Sequence, residues 1–265
     1  MHQAAPSTKT MSSKSRAVAA LVIANMALAS GPLFVRMADV GPVAAGLWRI
    51  ALATPVLLAI AVAMGEKPVA KSRGLWGVLA IAGVAFAADL ASWHVGILHT
   101  TLANSTLFGN AATLVFPIYG FIAVRMWPTR LQGLALLLAA IGAGLLLGRS
   151  ASLSADNLKG DLLCLLAGLL YAVYFIFMAR ARERLAPIPA LALSSIATIP
   201  PLLILALWMG ETVMPGNWTP VIVLAVVSQL IGQGCMIYAL GHLTPLVIGI
   251  GLLIPITNGV RCPSA

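Results

Sequence analysis

The chain has 265 residues, a formal net charge of +9, only 9% charged side chains and a mean hydropathy of +1.00. A soluble domain of this size carries about 25% charge and could not wrap so much apolar surface, so lipid has to serve as solvent. The positive charge is scattered through short loops without an aromatic-interleaved patch, which excludes a nucleic-acid surface and fits helix ends held beside anionic lipid.

Nine apolar windows follow one another, at 17–35, 42–64, 74–97, 101–124, 130–148, 160–179, 187–209, 219–240 and 243–259. Each is near the roughly 20 residues that cross a bilayer. The first is too long for a cleaved signal peptide and further spans follow it. The third and fourth are almost continuous, so His99-Thr100-Thr101 must hold a tight turn. With the amino terminus in the cytoplasm, eleven basic residues fall inside (Lys9, Lys14, Arg16, Lys67, Lys71, Arg73, Arg125, Arg130, Arg180, Arg182, Arg184). Four fall outside (Arg36, Arg149, Lys159, Arg261), and Arg49 lies within the second window. That bias predicts the orientation. Cys164, Cys235 and Cys262 lack metal or disulfide spacing.

An internal repeat is present. At an offset of 145, Pro42 to Glu66 matches Pro187 to Glu211 at nine of twenty-five positions, including Pro55 with Pro200 and the Met-Gly-Glu ends. A looser echo pairs His99 with His242. If the first unit holds five spans, an odd number, the second enters the membrane from the opposite side. Such inverted repeats commonly bound a central path opened alternately to each side.

The chain also resembles the drug/metabolite transporter superfamily, specifically its EamA-domain permeases. The resemblance rests on Ser30-Gly31-Pro32-Leu33-Phe34-Val35-Arg36, Gly41-Pro42, Leu47-Trp48-Arg49, the segment His99 to Asn104, and Phe116-Pro117, and it extends over residues 17–258. It implies ten helices in two five-helix halves, cytoplasmic termini, and export of amino acids, metabolites or toxic compounds. Here the tail from Thr257 to Ala265 is short and polar, so the expected architecture is all-α with nine spans, the last helix missing and the carboxyl terminus outside. The expected segments are a cytoplasmic tail (1–16), a first repeat (17–149), an inter-repeat loop (150–159), an incomplete second repeat (160–259) and a short tail (260–265).

The polar residues inside the windows are the candidate site. Asp89 is a carboxylate in mid-span, where it either lines a path and relays protons or bonds another helix. Trp93 follows it on the same face. Gln229 and Gln233 form an i,i+4 stripe in window eight that either binds solute or joins helices. Asn110 and Thr113 share one face of window four with Thr106 and Pro117, and Pro117 can kink that helix. Arg49 either snorkels to the outer headgroups or meets a carboxylate. Tyr171 and Tyr174, three apart, supply an aromatic wall or core packing. Arg36 reads as a surface anchor, and Gly144 with Gly148 as a small-residue pair for close helix packing.

No paired carboxylates, metal signature, phosphate loop or nucleophile elbow appears, so no enzyme is predicted and no tightly bound cofactor is implied. The expectation is a multi-pass permease of a bacterial inner membrane that exports a small organic solute by alternating access, its partners being lipid, solute and protons. The alternative is a non-transporting scaffold or regulatory remnant. Monomer and homodimer both stay open.

Overall fold

A computed structural model describes residues 13–123, 127–244 and 247–248. Most of the ninth apolar window and the carboxyl-terminal tail therefore lie outside the described residues, as do Arg125 and the first 12 residues, Lys9 among them.

The described chain is all-α. Its elements are α1 (Ser13–Ala29), α2 (Gly31–Met37), α3 (Pro42–Ala63), α4 (Pro68–Lys71), α5 (Trp76–His99), α6 (Leu102–Gly109), α7 (Ala112–Ala123), α8 (Arg130–Leu153), α9 (Ala155–Arg182), α10 (Pro187–Trp208) and α11 (Thr219–Leu224). A π-helical segment (Ala225–Gln233) and α12 (Gly234–Leu240) complete the eighth window. Among the described residues six stretches are long and apolar enough to cross a membrane: Ser13–Met37, Pro42–Ala63, Trp76–His99, Ala155–Arg182, Pro187–Trp208 and Thr219–Leu240. The protein is thus a polytopic membrane protein. The fourth window is divided between α6 and α7, and α8 holds a shorter apolar run, Leu136–Arg149.

The repeat is visible in the backbone. α3 and α10 are both 22 residues long, both begin on proline, and both stop on a glycine of positive φ, Gly65 (73°) and Gly210 (68°). Proline suits the first helical position because its missing N–H would have no partner there, and glycine takes the left-handed cap without steric cost. The closing hydrogen bonds repeat as well, Glu66 N to Ala61 O at 3.0 Å and Glu211 N to Ala206 O at 3.1 Å. The two helices pack along each other, with the end of α10 against the start of α3, so they run antiparallel.

α5 packs along α9 and α10, and α1 lies on the π segment and α12. The α5–α9 seam is close because both sides lack side chains at the crossing. A Cβ on Gly96 would come within 2.7 Å of Cys164 Sγ, and one on Gly160 within 2.7 Å of His99 C. By contrast, a Cβ on Gly144 or Gly148 would meet no atom within 4 Å among the described residues. Among the described residues that pair therefore meets no neighbouring helix, α8 packing mainly against α9.

Three other expectations change. The loop expected at 150–159 shrinks to Ser154, since Ser154 caps α9 by accepting from Asn157 N at 3.0 Å and Asp156 sits favourably in the first turn. Arg36 is no simple anchor: its Nη2 donates to Ile97 O (2.6 Å) and Thr100 O (2.7 Å), satisfying carbonyls at the end of α5. The echo of His99 in His242 is not structural, because His99 Nδ1 meets Asp156 Oδ1 at 2.8 Å whereas His242 Nδ1 meets its own helix at Tyr238 O. The turn at His99-Thr100-Thr101 is present, with Thr100 extended and Thr101 Oγ1 accepting from Asn104 N.

Candidate functional site

Where α1, α3, α5, α6, α9 and the π segment meet, they enclose a cavity of about 90 Å³. Its walls combine apolar surface from Leu28, Ala29, Phe86 and Leu90 with the polar ends of Asn25, Arg49, Asp89, Thr106, Asn110 and Gln233. Trp93 and Tyr171 supply aromatic faces.

Arg49 enters two turns into α3 and is only 2% exposed. It does not snorkel. Its Nε donates to Gln229 Oε1 at 3.2 Å, and its guanidinium carbon lies 5.9 Å from the centroid of Phe86. Gln229 in turn donates through Nε2 to Ser195 Oγ at 3.4 Å. This chain of bonds fixes the guanidinium through one nitrogen and leaves both terminal nitrogens without a partner among the described residues.

Asp89 stands one turn beyond Phe86 and one turn before Trp93 on the same face of α5. It is buried, accepts no hydrogen bond among the described residues, and stops short of an ion pair with Arg49. A buried charge without a partner is costly, so solvent, a proton or a solute in the cavity has to compensate it. Trp93 is held by Nε1–H donating to Ser105 O at 3.2 Å, and its ring lies against Gly31 and Gly109. A Cβ on Gly109 would fall 2.7 Å from Trp93 Nε1, so glycine there makes room for the indole.

On the opposite wall Tyr171 donates to Gln233 Oε1 at 2.8 Å, while Gln233 Nε2 is buried without a partner among the described residues. Both glutamines belong to the π segment. π turns commonly mark functional positions because they redirect side chains from the regular helical face. Here one segment delivers an amide to Arg49 in one half of the chain and another to Tyr171 in the other half.

The structure therefore brings Asp89, Trp93, Arg49, Asn110, Tyr171 and Gln233 to one cavity, with Gln229 behind Arg49. Tyr174 is not on its wall. It is fully buried, stacked on Phe86 at a centroid distance of 4.5 Å, because the packing of α9 along α5 turns its ring into the core. The side chain of Thr113 lies outside the described residues. The break in the fourth window falls at Asn110–Ala111 rather than at Pro117, so Asn110 lines the cavity at a helix discontinuity. Asn25 and Phe86 were missed. An amide in the middle of window one was the available signal for Asn25, and the spacing of one turn from Asp89 was the signal for Phe86.

Residues 158–256 match the EamA-like transporter family. This stretch is less than half of the chain, and the motifs from Ser30 to Pro117 that carry the resemblance lie outside it. A solved crystal structure is similar over 91% of this chain and 84% of its own, with a TM-score of 0.58 at 15% identity. That likeness concerns the fold and reaches across both halves. No curated protein matches the sequence. Among the described residues no group of three His, Cys, Asp or Glu side chains is placed to hold a metal ion. The matched family is one of transporters and not of enzymes, and the protein is an all-α, polytopic membrane protein whose residues 158–256 are similar to the EamA-like transporter family.

Proposed function

We propose that the protein is a permease that exports a small organic solute, such as an amino acid or metabolite, across a bacterial inner membrane by alternating access. The observation that carries this reading is the presence on one cavity of two ionic groups, the terminal nitrogens of Arg49 and the carboxylate of Asp89, that have no hydrogen-bond partner among the described residues and make no direct ion-pair contact with each other. A solute bearing a carboxylate and a cationic group would satisfy both, with Phe86, Trp93 and Tyr171 covering its apolar part. The antiparallel course of α3 and α10, with their repeated caps, supports two inverted units that exchange roles as the path opens to each side. The positive-inside bias supports an amino terminus in the cytoplasm. Two charged groups and a broken helix at Asn110 would line the path.

Asp89 also gives a route for coupling. A carboxylate that takes a proton when solute leaves would exchange protons for solute. Protein reconstituted in liposomes, loaded with candidate amino acids and placed in a pH gradient, tests this directly. Export driven by the gradient is expected in the unmodified protein and lost in Asp89→Asn. Undiminished gradient-driven export in that variant would remove Asp89 from the coupling.

A further inference from the structure

The two copies of the repeat close their ends in different ways. The turn before α3 (38–41) and the turn after α10 (209–218) are joined by a run of bonds between the halves. Glu211 Oε1 accepts from Val43 N at 3.2 Å and Oε2 from Ala44 N at 2.8 Å, so its carboxylate caps the first turn of α3. Gly41 N donates to Thr212 O at 3.0 Å, and Trp48 Nε1 to Val213 O at 2.6 Å. Asn217 N donates to Asp39 Oδ2 at 2.8 Å, and the Trp48 and Trp218 rings meet edge-on at 4.9 Å. Charge-assisted bonds from a carboxylate to free amides at a helix start are among the stronger ones available near a surface.

The repeat places Glu66 where Glu211 stands, but several of the positions around it differ. Gly41, whose lack of a Cβ lets the Glu211 side chain approach, aligns with Ala186. Ala44, a donor to Glu211, aligns with Pro189, which has no N–H. Trp48 aligns with Leu193 and Trp218 with Arg73, so neither the indole donor nor the ring contact has a counterpart. Glu66 instead pairs with Lys71 of its own loop, Oε2 to Nζ at 2.5 Å.

From this asymmetry we infer that Glu211 is the latch of a gate: it holds the end formed by the α2–α3 and α10–α11 turns closed at rest, while among the described residues the end near Glu66 has no such latch. This rests on the alternating-access reading above, under which each end must open in turn. Opening the latched end requires the start of α3 to release Glu211, so that end opens only when something else, such as solute seated between Arg49 and Asp89, shifts the balance.

Distances between spin labels test it on the full chain, with the three native cysteines replaced by alanine. One pair goes on Met37→Cys and Met214→Cys at the latched end, and one on Met64→Cys and Arg184→Cys at the other. All four positions are exposed. Without solute, Glu211→Ala is expected to add a longer-distance population at the 37–214 pair and none at the 64–184 pair. Glu211→Gln keeps one acceptor oxygen and is expected to add a smaller one, which preserves the test if the alanine variant does not fold. Glu66→Ala is expected to change neither pair. Unaltered 37–214 distances in both Glu211 variants would overturn the proposal, as would equal widening at 64–184 in Glu66→Ala. Because the distances are read without solute, a protein that opens yet carries nothing would defeat the permease reading and leave the latch standing.

Discussion

Gln229 holds Arg49 by a single bond, Nε to Oε1 at 3.2 Å, and so orients a guanidinium whose outer nitrogens are still unsatisfied. A lysine at position 49 would keep the charge but lose both the Nε donor and the planar fork. Arg49→Lys is expected to leave the protein folded and to weaken solute binding. Losing one charge-assisted bond costs about 1.5–3 kcal/mol, or roughly tenfold to a hundredfold in apparent affinity. Solute concentration curves in proteoliposomes, with thermal midpoints as the control for folding, measure this.

Solute competition probes the same pair of charges from the other side. A solute stripped of its carboxylate leaves Arg49 unsatisfied, and one stripped of its cationic group leaves Asp89 so. Either change is expected to reduce competition by about tenfold or more, since an unmatched buried ionic group costs at least about 1–3 kcal/mol. Equal competition by the methyl ester and the free acid of one amino acid would contradict the assigned roles.

Tyr171 and Tyr174 should respond unequally to loss of the hydroxyl. Tyr171→Phe removes the donor to Gln233 Oε1 and leaves an amide whose Nε2 already lacks a partner, at an expected cost of about 1–3 kcal/mol. In Tyr174→Phe the buried hydroxyl removed forms no full hydrogen bond among the described residues and only lies near Gln233 and Ser194, so stability is expected to fall less than in Tyr171→Phe. Thermal unfolding of both variants in the same detergent gives the comparison.

Gly109→Ala is expected to displace the Trp93 indole, because the added methyl would stand 2.7 Å from Nε1. The ring can move only by giving up its bond to Ser105 O or by entering the cavity it lines. Indole fluorescence should therefore shift and solute binding weaken. In contrast, Gly144→Ala on α8 meets open space and should alter neither.

Much of the fold was legible because hydropathy alone locates helices that must satisfy their own backbone groups in lipid. The Pro42–Ala63 and Pro187–Trp208 helices lie within two residues of their windows, and the proline and glycine at their ends explain why. The membership of the cavity was partly legible as well, since a carboxylate or guanidinium in a greasy window has few places to go. What stayed hidden depended on contacts between distant segments. Arg36 reads as an anchor until Ile97 and Thr100 are seen to present carbonyls to it. Tyr174 cannot be told from Tyr171 by spacing alone, because only the packing of α9 decides which ring faces inward. Proline signals a helix break by its chemistry, yet the interruption came at Gly109-Asn110, two residue types that favour helix ends and that were the signal available there. The π segment has no proline or glycine pair to signal it, as Gly232 stands alone within it.

That segment has a consequence for insertions and deletions. A ring closed five residues along takes in one residue more than an α-helical ring, so Ala225–Gln233 carries a surplus residue relative to regular winding. Removing a single residue there could be absorbed locally by tightening to α geometry, leaving Gly234–Leu240 in its present rotational setting. The same deletion inside Pro187–Trp208 has no slack to consume and would turn everything beyond it by about 100°. Length variation among related chains should accordingly be tolerated at the eighth window and purged from the seventh.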